Sequence, residues 1–93
     1  MENLSPTSLE NVAKALKKFG AREIYIFGSA TDGTFRRNSD VDLAVSGLPP
    51  EKYFHAFSEV QRLLDRPLDL IDLDRPTLFT EYLKKKGKLR RVA

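Results

Sequence analysis

Asp40 and Asp42 stand one residue apart at the mouth of an apolar run that ends at Val45. A second apolar run, Ile24 to Phe27, leads straight into Gly28-Ser29, and ten residues separate Ser29 from Asp40. If both runs are strands, the period of two sends Asp40 and Asp42 to one face and turns Val41 and Leu43 into the core. Two carboxylates on one patch repel each other, and the usual reason for such a pair beside a buried strand is a hard cation, typically Mg²⁺. The Gly-Ser turn is suited to phosphate. A residue without Cβ lets backbone approach closely, and the amides and hydroxyl of such a turn donate to phosphate oxygens. Asp also favours turns, so each aspartate alone fits a strand end. That reading leaves unexplained why two share a face next to Gly28-Ser29.

A third acidic strand follows. Leu68-Asp69-Leu70-Ile71-Asp72-Leu73 begins after the break at Arg66-Pro67. Asp69 and Asp72 have opposite parity, so only one of them can face the patch carrying Asp40 and Asp42.

The remaining elements must position these groups. A first helix starts near Ser5 to Thr7, with Pro6 in its first turn and Thr7 with Glu10 as a capping box. Leu9, Val12, Leu16 and Phe19 form its apolar stripe, and Gly20 ends it. Glu23 to Phe27 is the first strand, apolar enough to be covered on both faces. Gly28 to Asp32 opens a short helix closed by Gly33, and a polar loop runs from Thr34 to Ser39. After the second strand and the break Ser46 to Pro50, a long helix extends from about Pro50 to Leu64. Its stripe is Tyr53, Phe54, Phe57, Val60, Leu63 and Leu64. That stripe reads as core rather than as a base-stacking surface, and His55, one position off it, reads as a surface residue. Asp72 marks the exit of the third strand, and Asp74 reads as N-cap of a last helix with Leu78, Phe79, Tyr82 and Leu83 inward. Gly87 ends that helix, and Leu89 to Val92 adds a short edge strand. The element order indicates an α/β (α+β) domain, a small mixed β-sheet covered by helices, spanning 1–93 as a single unit.

Charge and composition bound the function. Ninety-three residues bury one core. Lys84, Lys85, Lys86, Lys88, Arg90 and Arg91 fall in the last ten residues, and removing those six from the net charge of +3 leaves −3 for the rest. The basicity is therefore a tail. It fits a solvated helix end that complements the helix dipole, with direct nucleic-acid binding or an acidic partner as the other reading. No run approaches the ~20 apolar residues of a membrane span, and the polar N-terminus is unlike a signal peptide. The absence of Cys excludes a disulfide framework and fits a cytoplasmic location.

Gly28-Ser29, the ten-residue spacing, Ser39-Asp40-Val41-Asp42-Leu43 and the later acidic strand together resemble the DNA polymerase β-type nucleotidyltransferase superfamily. The length is similar to its minimal nucleotidyltransferases. The resemblance implies a nucleotidyltransferase fold and an Mg²⁺-dependent transfer of a nucleoside monophosphate, AMP from ATP above all, to a hydroxyl. Asp40, Asp42 and Asp69 would be the catalytic carboxylates and would hold two Mg²⁺ ions. The family places its third carboxylate early in the third strand, which selects Asp69 over Asp72. Gly28 and Ser29 would bind the terminal phosphates, with Ser39 either orienting Asp40 or ending the loop. Many members carry Arg four residues after the signature Gly. Here that position is Asp32, and Arg36 or Arg37 are the candidates to replace it. Small members pair with a HEPN-domain toxin as its antitoxin, some by transferring AMP to a toxin tyrosine. Two readings follow: an enzyme modifying a partner protein, and a binding antitoxin with a vestigial site. A homo-oligomer is left open.

Overall fold

Val41, Leu43 and Val45 are no more than 1% exposed, and the strand that carries them, β2 (Val41–Ser46), lies inside the sheet. The computed structural model describes residues 6–28, 40–64 and 66–93. Their elements are α1 (Pro6–Lys18), β1 (Glu23–Ile26), β2, a 3₁₀ turn (Pro50–Lys52), α2 (Tyr53–Leu63), β3 (Leu68–Asp72), α3 (Leu78–Lys86) and β4 (Arg90–Arg91). The strand order is β3-β2-β1-β4, with β2 parallel to β3 and antiparallel to β1, and β4 antiparallel to β1. The parallel pair needs a crossover, and α2 provides it. The sheet is mixed and helix-covered, as the element order implied.

Strand alternation divides the core into two layers. On one face Ile24, Ile26, Val41, Leu43, Val45, Leu68 and Leu70 pack against Val12, Ala13 and Leu16 of α1 and Ala56 and Val60 of α2. On the other, Phe27, Ala44 and Leu73 meet Leu83 of α3, with Tyr25 and Ile71 partly buried beside them. The consecutive apolar residues of β1 are thus covered on both sides. The basic tail is anchored in part, because β4 pairs with β1 and Ile24 N–H donates to the Ala93 carbonyl at 3.1 Å.

Both sheet edges are blunted. On β3 the amide of Gln61 takes the place of a neighbouring strand. Its Nε2 donates to the Arg66 carbonyl at 2.8 Å, and its Oε1 accepts from Leu68 N–H at 2.9 Å. The Tyr53 hydroxyl donates to the Leu70 carbonyl one step further on. At the opposite edge β4 is two exposed arginines long. Short edges, charge and covered backbone groups all oppose strand addition.

Several expectations need correction. Helix α1 begins at Pro6, so Thr7 lies inside the first turn, and the cap position before Pro6 is outside the described residues. In α2, Ala56 and Val60 are the buried pair, while Phe54 is 79% exposed and Leu63 is also exposed. Phe54 lies about 200° around the helix from Ala56, which turns it away from the sheet. The last helix starts at Leu78, not at Asp74. Pro76 disfavours helical backbone at Arg75, and Thr77 forms a reciprocal capping box with Thr80 (3.1 and 2.9 Å). Asp74 instead accepts from Gly47 N–H at 2.7 Å and Ser46 Oγ at 3.3 Å, tying the exits of β3 and β2 together. On α3 only Thr80 and Leu83 are buried, and Leu78, Phe79 and Tyr82 face outward. Asp72 does mark the strand exit, accepting from Asp74 N–H at 3.0 Å. His55 is exposed and Gly87 ends α3 in the left-handed region, as expected.

Burial ranks the consequences of truncation. Leu16→Ala removes a fully buried side chain and is expected to cost about 2–5 kcal/mol. Phe54→Ala should change stability by no more than about 0.5 kcal/mol despite deleting a larger group. Urea unfolding of the two variants checks the order, and a larger loss in the Phe54 variant would contradict the assignment of the core.

Candidate active site

Asp42 is the second residue of β2, on the face opposite Val41 and Leu43. The parallel pairing with β3 sets Asp42 beside Asp69 in register, just as Val41 stands beside Leu68 and Leu43 beside Leu70. Because the apolar neighbours of each aspartate are locked into the core, the two carboxylates are held on the same face of adjacent strands. Asp72, of the opposite parity, pairs with Val45 at the far end. Asp40 lies just before the strand and is exposed.

The end of β1 closes on this pair. Phe27 N–H donates to the Asp42 carbonyl at 3.1 Å, which brings Gly28 against the Asp42 side chain. Gly28 has φ +72°, a conformation other residues rarely adopt. A Cβ there would overlap a carboxylate oxygen of Asp42 and lie 3.1 Å from its Cγ. The backbone angle thus calls for glycine, and any side chain there would also have to displace the Asp42 carboxylate. Sequence reading found the residue but not its contact with Asp42, because that contact depends on how β1 ends against β2.

The electrostatics follow from this crowding. The Asp42 carboxyl is pushed up to about 6, first by burial and then by the negative charges of Asp69 and Asp40. Burial also raises Tyr53, with Asp69 and then Asp72 adding to the shift. Tyr53 thus stands in the field of the acidic patch while its hydroxyl is held by the Leu70 carbonyl. Helical periodicity gave it only a place in the core, and no local signal marked it as a neighbour of Asp69.

The donor set fits a hard cation in chemistry: oxygen only and anionic, with Asp42 partly buried and Asp69 and Asp40 open to solvent. Among the described residues no group of three or more His, Cys, Asp or Glu side chains is arranged to hold a metal by itself. Mg²⁺ is commonly bound by one or two carboxylates together with substrate phosphates, a mode that the Asp42 and Asp69 pair suits. Ser29, Ser39, Asp32, Arg36 and Arg37 lie outside the described residues, as does the expected helix closed by Gly33.

A pH test follows from the Asp42 shift. Its folded-state value lies above the unfolded value of 3.8, so its ionisation opposes folding. The stability is present in full below 3.8 and is lost as pH rises through about 6. Without divalent cations, Asp42→Asn should melt above wild type near about pH 7.5, and the gap should close by about pH 4. A variant that melts below wild type at the higher pH would show that burial and the neighbouring charges do not penalise the Asp42 carboxylate. Gly28→Ala should destabilise at every pH.

Comparison with known proteins agrees with this geometry. The family model described as Polymerase beta, Nucleotidyltransferase matches residues 10–89. The chain is 36% identical over 69 residues to the protein adenylyltransferase MntA of Shewanella oneidensis, covering 70% of this chain and 50% of that protein. It therefore spans half the length of the curated relative that it matches. A crystal structure of a toxin–antitoxin with AMP-PNP superposes with TM-score 0.73 at 26% identity, over 95% of this chain and 72% of that one. A structure of tri-AMPylated Shewanella oneidensis HEPN toxin in complex with MNT antitoxin shares the fold, with TM-score 0.67 at 21% identity over 91% and 68%. Together with the paired aspartates and the glycine closed against them, the match over residues 10–89 establishes that the chain belongs to the polymerase β nucleotidyltransferase family.

Proposed function

We propose that this protein transfers AMP from ATP to a hydroxyl of a partner protein, a HEPN-domain toxin tyrosine, and acts in the cytoplasm as the antitoxin of that pair. The observation that carries the reading is the in-register pair Asp42 and Asp69, closed on one side by Gly28, in a chain 36% identical to a protein adenylyltransferase. The structure of a toxin–antitoxin with AMP-PNP supports ATP as the nucleotide.

The reaction needs an acceptor oxygen brought in line with the α-phosphorus, loss of the acceptor's proton, and departure of pyrophosphate. Asp40, Asp42 and Asp69 are the residues that would hold Mg²⁺, which when bound supplies positive charge against the triphosphate and the leaving group. Asp42, whose ionisation is disfavoured by its neighbours, is held in place by β2 before substrate arrives. Such prior positioning lowers the cost of organising the site during reaction. Asp69 stands at the edge of the patch and takes the acceptor hydroxyl's proton as that oxygen bonds to phosphorus and the bond to pyrophosphate breaks. Gly28 and Ser29 contribute backbone and hydroxyl donors to the terminal phosphates, and Ser39, on the nucleotide's side of the site, orients Asp40.

A second reading has one observation in its favour. Asp32 stands where many members of the family carry an Arg that grips the triphosphate. A chain with a vestigial site would neutralise its partner by complex formation alone.

The intact mass of the partner separates the two. Co-expression with the protein that the neighbouring gene encodes should add one or more adenylyl groups to that protein, and Asp40→Asn/Asp42→Asn should abolish the gain. A stable complex with no added mass, equally tight for the variant, would establish neutralisation by binding instead.

A further inference from the structure

We propose that the outward face of α3 and the groove between α3 and α2 form the docking surface for the acceptor protein, and that its occupant is an acidic helix with an apolar face. This rests on the reading that the chain modifies a protein partner, and it names where that partner is recognised.

The surface is apolar where a solvated helix would be polar. Leu78 is 93% exposed, Tyr82 49% and Phe79 46%. Leu78 and Tyr82 are four residues apart and so share one stripe. Helix α3 needs only Thr80 and Leu83 to fill the layer beneath it. Of its other apolar side chains Phe79 touches the core at one ring edge, and Leu78 and Tyr82 are outside both core clusters. Across a groove of about 390 Å³ floored by Ile71, Tyr53 and Phe54 of α2 face Phe79. Phe54 is exposed on that rim as well.

The patch borders the carboxylates. Helix α3 covers the sheet face on which Asp42 and Asp69 lie, since Ala44 and Ile71, the next residues on that face, pack around Leu83. Phe79 meets Phe27 edge-on with ring centroids 5.8 Å apart, and Phe27 leads directly into Gly28. A polypeptide seated on α3 is thereby beside the site where its hydroxyl would react.

Two features define the occupant. The β3 edge cannot accept an added strand at Leu68 or Leu70, because Gln61 and Tyr53 already bond those backbone groups. A partner must dock through side chains, and a helix laying an apolar face into a groove does so. The charge of α3 is one-sided, since the helix ends in Lys84, Lys85 and Lys86, Lys88 follows and Glu81 is its one acidic residue, while the groove itself carries one charge of each sign, Asp72 and Arg75. Acidic side chains next to the partner's apolar face complete the match.

The test uses the full chain and the protein that the neighbouring gene encodes, with dissociation constants measured for wild type, Phe54→Ser/Leu78→Ser, Lys84→Glu/Lys85→Glu/Lys86→Glu and Asp42→Asn. Each docking variant should weaken the complex by about tenfold or more, as loss of aromatic and aliphatic anchors or reversal of charge does. Phe54→Ser/Leu78→Ser should keep the wild-type melting temperature, since both side chains are exposed, and the lysine variant should fold but melt slightly lower, since its lysines sit in the last turn of α3 and complement the helix dipole. Asp42→Asn should bind as wild type does. An unchanged dissociation constant in either docking variant, or no binding by wild type, overturns the proposal. So does attachment of wild type to anionic lipid vesicles that the same substitutions abolish while partner binding survives. Weakened binding by the docking variants with no adenylyl mass on the wild-type partner upholds the surface and defeats the transfer reaction. Adenylyl transfer with unchanged binding does the reverse.

Discussion

The parallel pairing of β2 with β3 is the constraint on which the rest of the structure depends. It fixes Asp42 beside Asp69, and a slip by one residue would send either carboxylate into the layer now filled by Val41, Leu43, Leu68 and Leu70. Burial of those apolar side chains is thus what holds two like charges together. Burial first, and then the negative charges of Asp69 and Asp40, raise the Asp42 carboxyl, and the hydrophobic layer under α1 and α2 offsets that cost. A cation placed between the carboxylates would turn that repulsion into affinity.

Other features serve the same pair. Two residues past β1 the chain turns through Gly28 at φ +72°, with the Asp42 carboxylate in the space a side chain would take. Asp74 fastens the turn after β2 to the exit of β3, and Gln61 and Tyr53 close the β3 edge so that its register has no competing partner. Helix α3 is the least committed element, docked through two buried residues and one edge-on ring contact, and its apolar side chains face outward near the site.

Much of this was legible in the sequence. The parity of Asp42 against Val41 and Leu43 and the opposition of Asp69 to Asp72 follow from strand geometry, and both hold in the sheet. The family followed from the spacing of Gly28-Ser29 to Asp40-Val41-Asp42, and the match over residues 10–89 bears it out. What periodicity missed were facts of orientation and capping. Phe54, Leu78 and Tyr82 have the composition of a core stripe but face water, because which arc of a helix is buried depends on the sheet beneath it. Asp74 looked like an N-cap because Asp favours that position, yet Pro76 moved the helix start and Thr77 took the role. The Gly28 to Asp42 contact joins two strands and leaves no pattern in either.

The central claim is that Asp42 and Asp69 form a divalent-cation site completed by the nucleotide. Thermal unfolding with Mg²⁺ and a non-hydrolysable ATP analogue, compared with either alone, tests it most directly. The account predicts a joint stabilisation of wild type that exceeds the sum of the separate effects and is absent in Asp42→Asn. Equal stabilisation of wild type and variant would contradict it and leave the paired carboxylates without a cation to hold.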